Sequence, residues 1–206
     1  MKNRFLILVL GLVFLLSFVA PAVAEDKEAK QTRITGYSQY ELGALVSELK
    51  LEGFVGPVED PSYEGLTGVK NYAKEEKVYF AGRGTEVRLV LQTLEGRIEG
   101  ISMDFTNLLE EFKELDHIGY YVKDLRQLIV ERYDPKLKKW DDFFYTYSSY
   151  GGNGWLGLLE LKDEVGNTLI LMWSGYSLDL IYKSARLQEV IDAAKKKVKE
   201  KSEGKL

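Results

Sequence analysis

Apolar positions in the C-terminal part of the chain fall into three short runs. They span Trp155 to Leu161, Thr168 to Trp173 and Ser177 to Tyr182, separated by turn residues at Glu164–Asn167 and Ser174–Tyr176. Runs of strand length bounded by Gly, Asn and Ser predict an antiparallel meander. The middle run is apolar at both alternating sets of positions, so it is expected inside a sheet with something packed over it.

Upstream the period changes several times. Ser38-Gln39-Tyr40-Glu41 reads as a capping box, and Leu42, Leu45, Val46 and Leu49 follow at helical spacing, with Gly53 as the stop. Phe54 to Lys77 holds Gly56-Pro57, Asp60-Pro61, Gly65 and Gly68, and reads as a long loop. Val78–Ala81, Thr85–Leu94 and Arg97–Phe105 predict three strands. Ile101, Met103 and Phe105 alternate there with Ser102 and Asp104, which describes one covered face and one wet face. Asn107–Glu110 is a second capping signal. It predicts one helix through Leu108, Leu109, Phe112 and Leu115, a break at Asp116–Gly119, and another helix through Tyr121, Leu125, Leu128 and Ile129 that stops at Asp134-Pro135. Asp142–Tyr150 is an aromatic-rich strand, turning at Gly151–Gly154 into the meander. A last helix from about Ser184 carries a stripe of Leu187, Val190, Ile191, Ala194 and Val198.

The expected fold class is α+β: an antiparallel sheet of about seven strands with helices packed on one face, in the order α-βββ-αα-ββββ-α. A helix-then-hairpin run occurs at Ser38–Phe105 and again at Asn107–Tyr182, so a duplicated helix-plus-sheet unit is an alternative description. The two halves share no residue motif.

The N-terminus adds an address. Lys2 and Arg4 precede an apolar run from Phe5 to Val19, and Ala22-Val23-Ala24 matches a small-residue cleavage site. Residues 1–24 are therefore expected to be a signal peptide, 25–33 a charged flexible leader, 34–194 one globular domain, and 195–206 a Lys-rich helix end or tail. Uncleaved, Phe5 to Ala24 is just long enough to tether the domain to a membrane. Either outcome places the domain in a secreted, periplasmic or other extracytoplasmic setting.

Composition removes several chemistries. The chain has no Cys and one His, which rules out thiol catalysis and leaves too few nitrogen and sulfur ligands for zinc or iron. The formal charge is −4 and becomes more negative without Lys2 and Arg4, so nucleic acid is not an expected partner. Gly82–Gly84 and Gly151–Gly154 each lead into a strand and lack a following G-K-[ST], so they read as turns rather than phosphate loops. No EF-hand-type loop surrounds the acid pairs Asp141-Asp142 and Asp163-Glu164, which read as solvated turns or strand ends. Asp116-His117 lacks a nucleophile elbow elsewhere in the chain, and Asp116 reads as a cap in an interhelical turn. Glu110, Glu111, Asp104, Asp141 and Asp142 are available to a hydrolase needing two facing carboxylates.

The compositional anomaly is aromatic. Trp140, Phe143, Phe144, Tyr145, Tyr147, Tyr150 and Trp155 fall on one strand and its flanks. Cross-strand packing accounts for rings on the covered face, while rings on the other face could stack on sugars or anchor a protein. The expectation is a non-catalytic domain with a binding or accessory role in the cell envelope. No cofactor or metal is expected, the partner is an envelope protein or a glycan, and the ligand residues are Trp140, Tyr150, Asn153 and Trp155. A carbohydrate-binding module and a carboxylate hydrolase are the alternatives.

Overall fold

The computed structural model describes residues 30–59, 68–80, 83–105, 115–148, 152–173 and 177–204. The surroundings of side chains are described for all of these except 83, 115–118, 142–148 and 152–156. Ten strands and two long helices are present among them. A small hairpin pairs β1 (Gly36–Tyr37) with β2 (Tyr40–Glu41). The main sheet has eight antiparallel strands: β3 (Val55–Glu59), β4 (Val69–Phe80), β5 (Arg83–Leu94), β6 (Arg97–Asp104), β7 (Lys138–Ser148), β8 (Gly152–Lys162), β9 (Thr168–Trp173) and β10 (Leu178–Lys183). Helix α1 (Leu115–Arg132) joins β6 to β7, and α2 (Ala185–Ser202) follows β10. The molecule is a mixed α+β fold.

The strand order across the sheet is β3-β4-β5-β6-β10-β9-β8-β7. Each half is a plain meander, and their last strands meet at the centre. The predicted C-terminal meander is present, and its middle run, Thr168–Trp173, lies inside the sheet as β9. Leu169, Leu171 and Trp173 are buried there.

Several expectations are corrected. The capping box at Ser38–Glu41 does not start a helix. It forms the β1–β2 turn, with Ser38 at φ 54°, and the helical-looking stretch after it runs through a turn, an isolated bridge at Leu45 and a single 3-10 turn at Val46–Glu48. Tertiary bonds decide this. The Leu42 N–H donates to the Thr35 carbonyl (2.7 Å), the Gly43 N–H to that of Ile98 (2.6 Å) and the Val46 N–H to that of Gly96 (2.9 Å). Gly36, at φ 132°, is obligatory, because a Cβ there would lie 2.3 Å from the Tyr40 carbonyl oxygen.

The expected long loop Phe54–Lys77 holds β3 and the first nine residues of β4, which bring the sheet to eight strands. The break expected at Asp116–Gly119 is continuous helix, so His117 sits within α1 rather than in a turn. The capping signal at Asn107–Glu110 lies outside the described residues. Pairing also begins before residue 34: the Gln31 N–H donates to the Arg132 carbonyl (2.9 Å), and the Asp134 N–H to that of Gln31 (2.9 Å).

The helices do not share one face. Leu89, Leu91, Ile101, Met103, Leu169, Leu171, Leu180 and Tyr182 belong to one large core, together with Tyr121, Val122, Leu125 and Ile129 of α1. Leu187, Ile191 and Ala194 of α2 form a separate cluster with Val69 and Leu94. Leu94 and Gly100 are one residue out of step with Leu91 and Ile101, so α2 lies on the opposite side of the sheet. Gly100 makes the room, since a Cβ there would stand 2.8 Å from the Leu187 side chain. Ser184 caps α2 by accepting the Leu187 N–H (3.0 Å).

On the large-core side the two meanders have different covers. α1 lies over the β8–β10 half. Ile34, Tyr37, Tyr40 and Val46 of the N-terminal segment belong to the same core as Val87, Leu89 and Leu91 of the other half.

Candidate functional site

A cleft of about 800 Å³ lies beside α1 on the large-core side of the sheet. Its floor is Leu180 and Tyr182 of β10. One wall is α1, through Leu125, Leu128, Ile129, Glu131 and Arg132. Tyr79 and Phe80 at the tip of β4 form the other wall, and Gln31 and Tyr133 close the end. The volume falls within the roughly 300–1,000 Å³ typical of small-ligand sites.

Local sequence explains each wall. Leu125 and Ile129 are one helical turn apart and buried, whereas Leu128 lies beside them at 45% exposure. Phe80, at the end of the β4–β5 hairpin, turns its ring toward the core beside Phe105 (5.9 Å), while the 72% exposed Tyr79 ring lies with Lys77 on the other face of the sheet. The apolar stripe of α1 is thus wider than the core it covers, and its margin lines the cleft.

The polar end is built from two buried phenols and a guanidinium. Tyr133 and Tyr182 are buried and share a hydrogen bond. Burial pushes the Tyr182 hydroxyl well above its usual pKa, and Tyr133 adds to this while Arg132 opposes it. Tyr133 is also raised, first by burial, with Arg132 and the Tyr182 hydrogen bond pulling the other way. Both phenols therefore stay protonated and act as neutral donors. Such a site can hold an apolar body and a polar head.

A second cleft, of about 500 Å³, lies beside the β8–β9 turn and is lined by Lys136, Lys138, Lys162, Asp163 and Glu164 among others. The Asp163 carboxylate is engaged in the fold. It accepts the N–H groups of Ile34 (3.0 Å), Val165 (3.1 Å) and Asn167 (2.9 Å).

Three of the four residues singled out from the aromatic strand are spread along one long hairpin. Trp140 is 65% exposed on the edge strand β7 and pairs with Glu160 of β8. Trp155 lies five residues from Glu160 along β8, roughly 17 Å away at strand spacing, and Asn153 is farther still, opposite Tyr147. Tyr150 lies outside the described residues.

Among the acids, Glu110 and Glu111 lie outside the described residues. Asp141 is taken up by Arg126, whose guanidinium donates to both its oxygens, and by Lys139 at 2.9 Å. Burial works to raise its pKa, but the Arg126 and Lys139 hydrogen bonds outweigh that and hold it below the usual carboxylate value. Asp104 does face another carboxylate, Asp179, directly across β6–β10. Asp179 has a raised pKa, first from burial and then from Asp104, with a hydrogen bond from Ser177 opposing. Neither residue lines either cleft. Among the described residues no three acidic or imidazole groups gather as a metal site would require.

Sequence reasoning missed Arg132, Tyr133 and Tyr182. The available signal was Tyr182 at an inward strand position and Tyr133 just past a helix end, each a polar-tipped side chain where an aliphatic one would pack.

No protein-family model matches the chain, and neither a curated protein nor a solved structure is significantly similar to it. Among the described residues no helix is long and apolar enough to cross a membrane.

Proposed function

We propose that this is an exported, non-catalytic binding domain that serves an accessory role in the cell envelope and takes its ligand in the cleft beside α1. The observation that carries this is the cleft itself: apolar walls, a half-exposed Leu128, and a few polar groups gathered at one end. The export half rests on the basic, apolar and small-residue pattern of residues 1–24. The palindromic strand order supports a duplicated four-stranded sheet unit, without the helix expected to open the first copy at Ser38.

A neutral solvatochromic dye tests the cleft. Saturable binding is expected for the native chain. Leu128→Asp is expected to abolish it, because the carboxylate would place a charge on an apolar wall, while Trp140→Ala leaves it intact. Binding that ignores Leu128→Asp would move the site elsewhere.

The exposure of Trp140 favours a second reading, sugar binding along the β7 edge. Oligosaccharide titration followed by tryptophan fluorescence addresses it. A saturable change lost in Trp140→Ala supports that reading, and a flat titration removes it. The Asp104–Asp179 pair keeps a hydrolase as the third reading.

A further inference from the structure

We infer that the cleft selects aliphatic monocarboxylates, with the alkyl chain along Leu125, Leu128 and Leu180 and the carboxylate against Arg132 and the Tyr133–Tyr182 hydroxyls. The inference rests on the cleft reading above and names the ligand class for that site.

Arg132 is the first argument. Three other arginines are engaged within the fold: Arg126 holds Asp141, Arg186 reaches Glu95 and Glu99, and Arg97 donates to the Gly43 carbonyl. Among the described residues the Arg132 guanidinium has no ion-pair partner, although it lies at the cleft's polar end. Its neighbour Glu131 accepts from Gln127 one turn back along α1 (2.7 Å). A guanidinium presents a planar fork of donors that matches a carboxylate.

The phenols are the second argument. Two hydroxyls carry two protons, and their mutual bond uses one. One O–H is then left to donate to a ligand in the cleft. A carboxylate has enough lone pairs to satisfy that O–H and the guanidinium together.

Charge count and length narrow the class. Among the described residues the lining holds one arginine, one carboxylate (Glu131, bonded to Gln127) and no lysine, so a doubly charged phosphate would meet too little positive charge and a singly charged head fits better. From Leu125 to Arg132 the helix rises roughly 10 Å. Apolar side chains line that length, so the body of the ligand is a chain rather than a sugar.

The test is calorimetric titration of the whole protein with decanoate, decanol and a short apolar peptide with a free or amidated C-terminus. Decanoate is expected to bind roughly ten- to a hundredfold more tightly than decanol, as a charge-assisted pair implies. Arg132→Gln is expected to erase that ratio while decanol binding is unchanged. Tyr133→Phe reduces it, Arg132→Lys keeps part of it, and Leu128→Asp removes binding of both. Equal binding of decanoate and decanol overturns the carboxylate assignment but leaves the cleft reading standing. Failure of dye, decanol and decanoate together overturns both. Binding of only the free-carboxyl peptide would replace the aliphatic acid with a chain terminus and so overturn this inference as well.

Discussion

Asp163 joins segments that are far apart in the chain. Its carboxylate is buried and accepts three backbone N–H groups, one of them from Ile34, 129 positions away. Asn167, in the same turn, donates to the Ile34 carbonyl (3.1 Å) and accepts the Ala185 N–H (3.1 Å). One turn thus holds the N-terminal segment, β8–β9 and the start of α2. Asp163→Ala leaves those donors without their acceptor. It is expected to destabilise the protein by about 3 kcal/mol in urea titration, with Asp163→Asn losing less. From the sequence Asp163-Glu164 reads as a solvated turn. The turn was legible and its burial was not, because nothing local to it records Ile34 or Ala185.

At the scale of elements, legibility depended on whether the packing partners were apolar. The C-terminal meander was readable because its inward positions are Leu, Trp and Tyr. β4 was not readable, although it is twelve residues long and pairs with β5 throughout. Its residues Lys74 and Glu76 stand opposite the buried Leu89 and Val87, on the core side. They are tolerated there because they pair with each other at 2.9 Å, and because the Lys74 ammonium lies over the rings of Phe54 (4.8 Å) and Tyr40 (5.4 Å). Two charges at inward positions erase the alternation that marks a strand. The pair also makes a prediction. Lys74→Met leaves Glu76 without its cation and is expected to lose about 1–2 kcal/mol. The double variant Lys74→Met/Glu76→Leu should recover most of that in a thermodynamic cycle. The capping box failed for the complementary reason. Ser38 and Glu41 satisfy a local rule, but the apolar residues after them gain more by pairing with residues 96–98 than by coiling.

For the whole molecule, the important line is the seam where β6 meets β10 and the two meanders join. Asp104 and Asp179 face each other across it. Arg88 of β5 stands opposite Asp104, Met172 of β9 opposite Asp179, and the Ser177 hydroxyl bonds Asp179. Because the folded chain raises the pKa of Asp179, it holds that proton more tightly than the unfolded chain does. The associated stability is present below the ordinary aspartate value of 3.8 and is lost as pH climbs from there through the raised folded value. Asp179→Asn removes this loss. The variant is expected to exceed the native protein in urea midpoint at about pH 7.5 and to show a smaller advantage at about pH 4. Asp141 runs in the opposite sense, since its lowered pKa contributes stability that disappears on acidification. Comparing variant and parent at each pH therefore isolates the seam.

The palindromic sheet has a further consequence at its two margins. Among the described residues it does not close on itself, and β3 and β7 are its border strands. β3 is exposed along its whole length, contains Pro57, which offers no N–H, and shifts register between Val55 and Val58. β7 begins with Lys138 and Lys139, both exposed. Charge at one border and a broken, donor-poor ladder at the other make poor templates for an incoming strand. A second molecule that tried to extend the sheet would meet like charge at one border and a broken ladder at the other, which disfavours end-to-end growth into fibres.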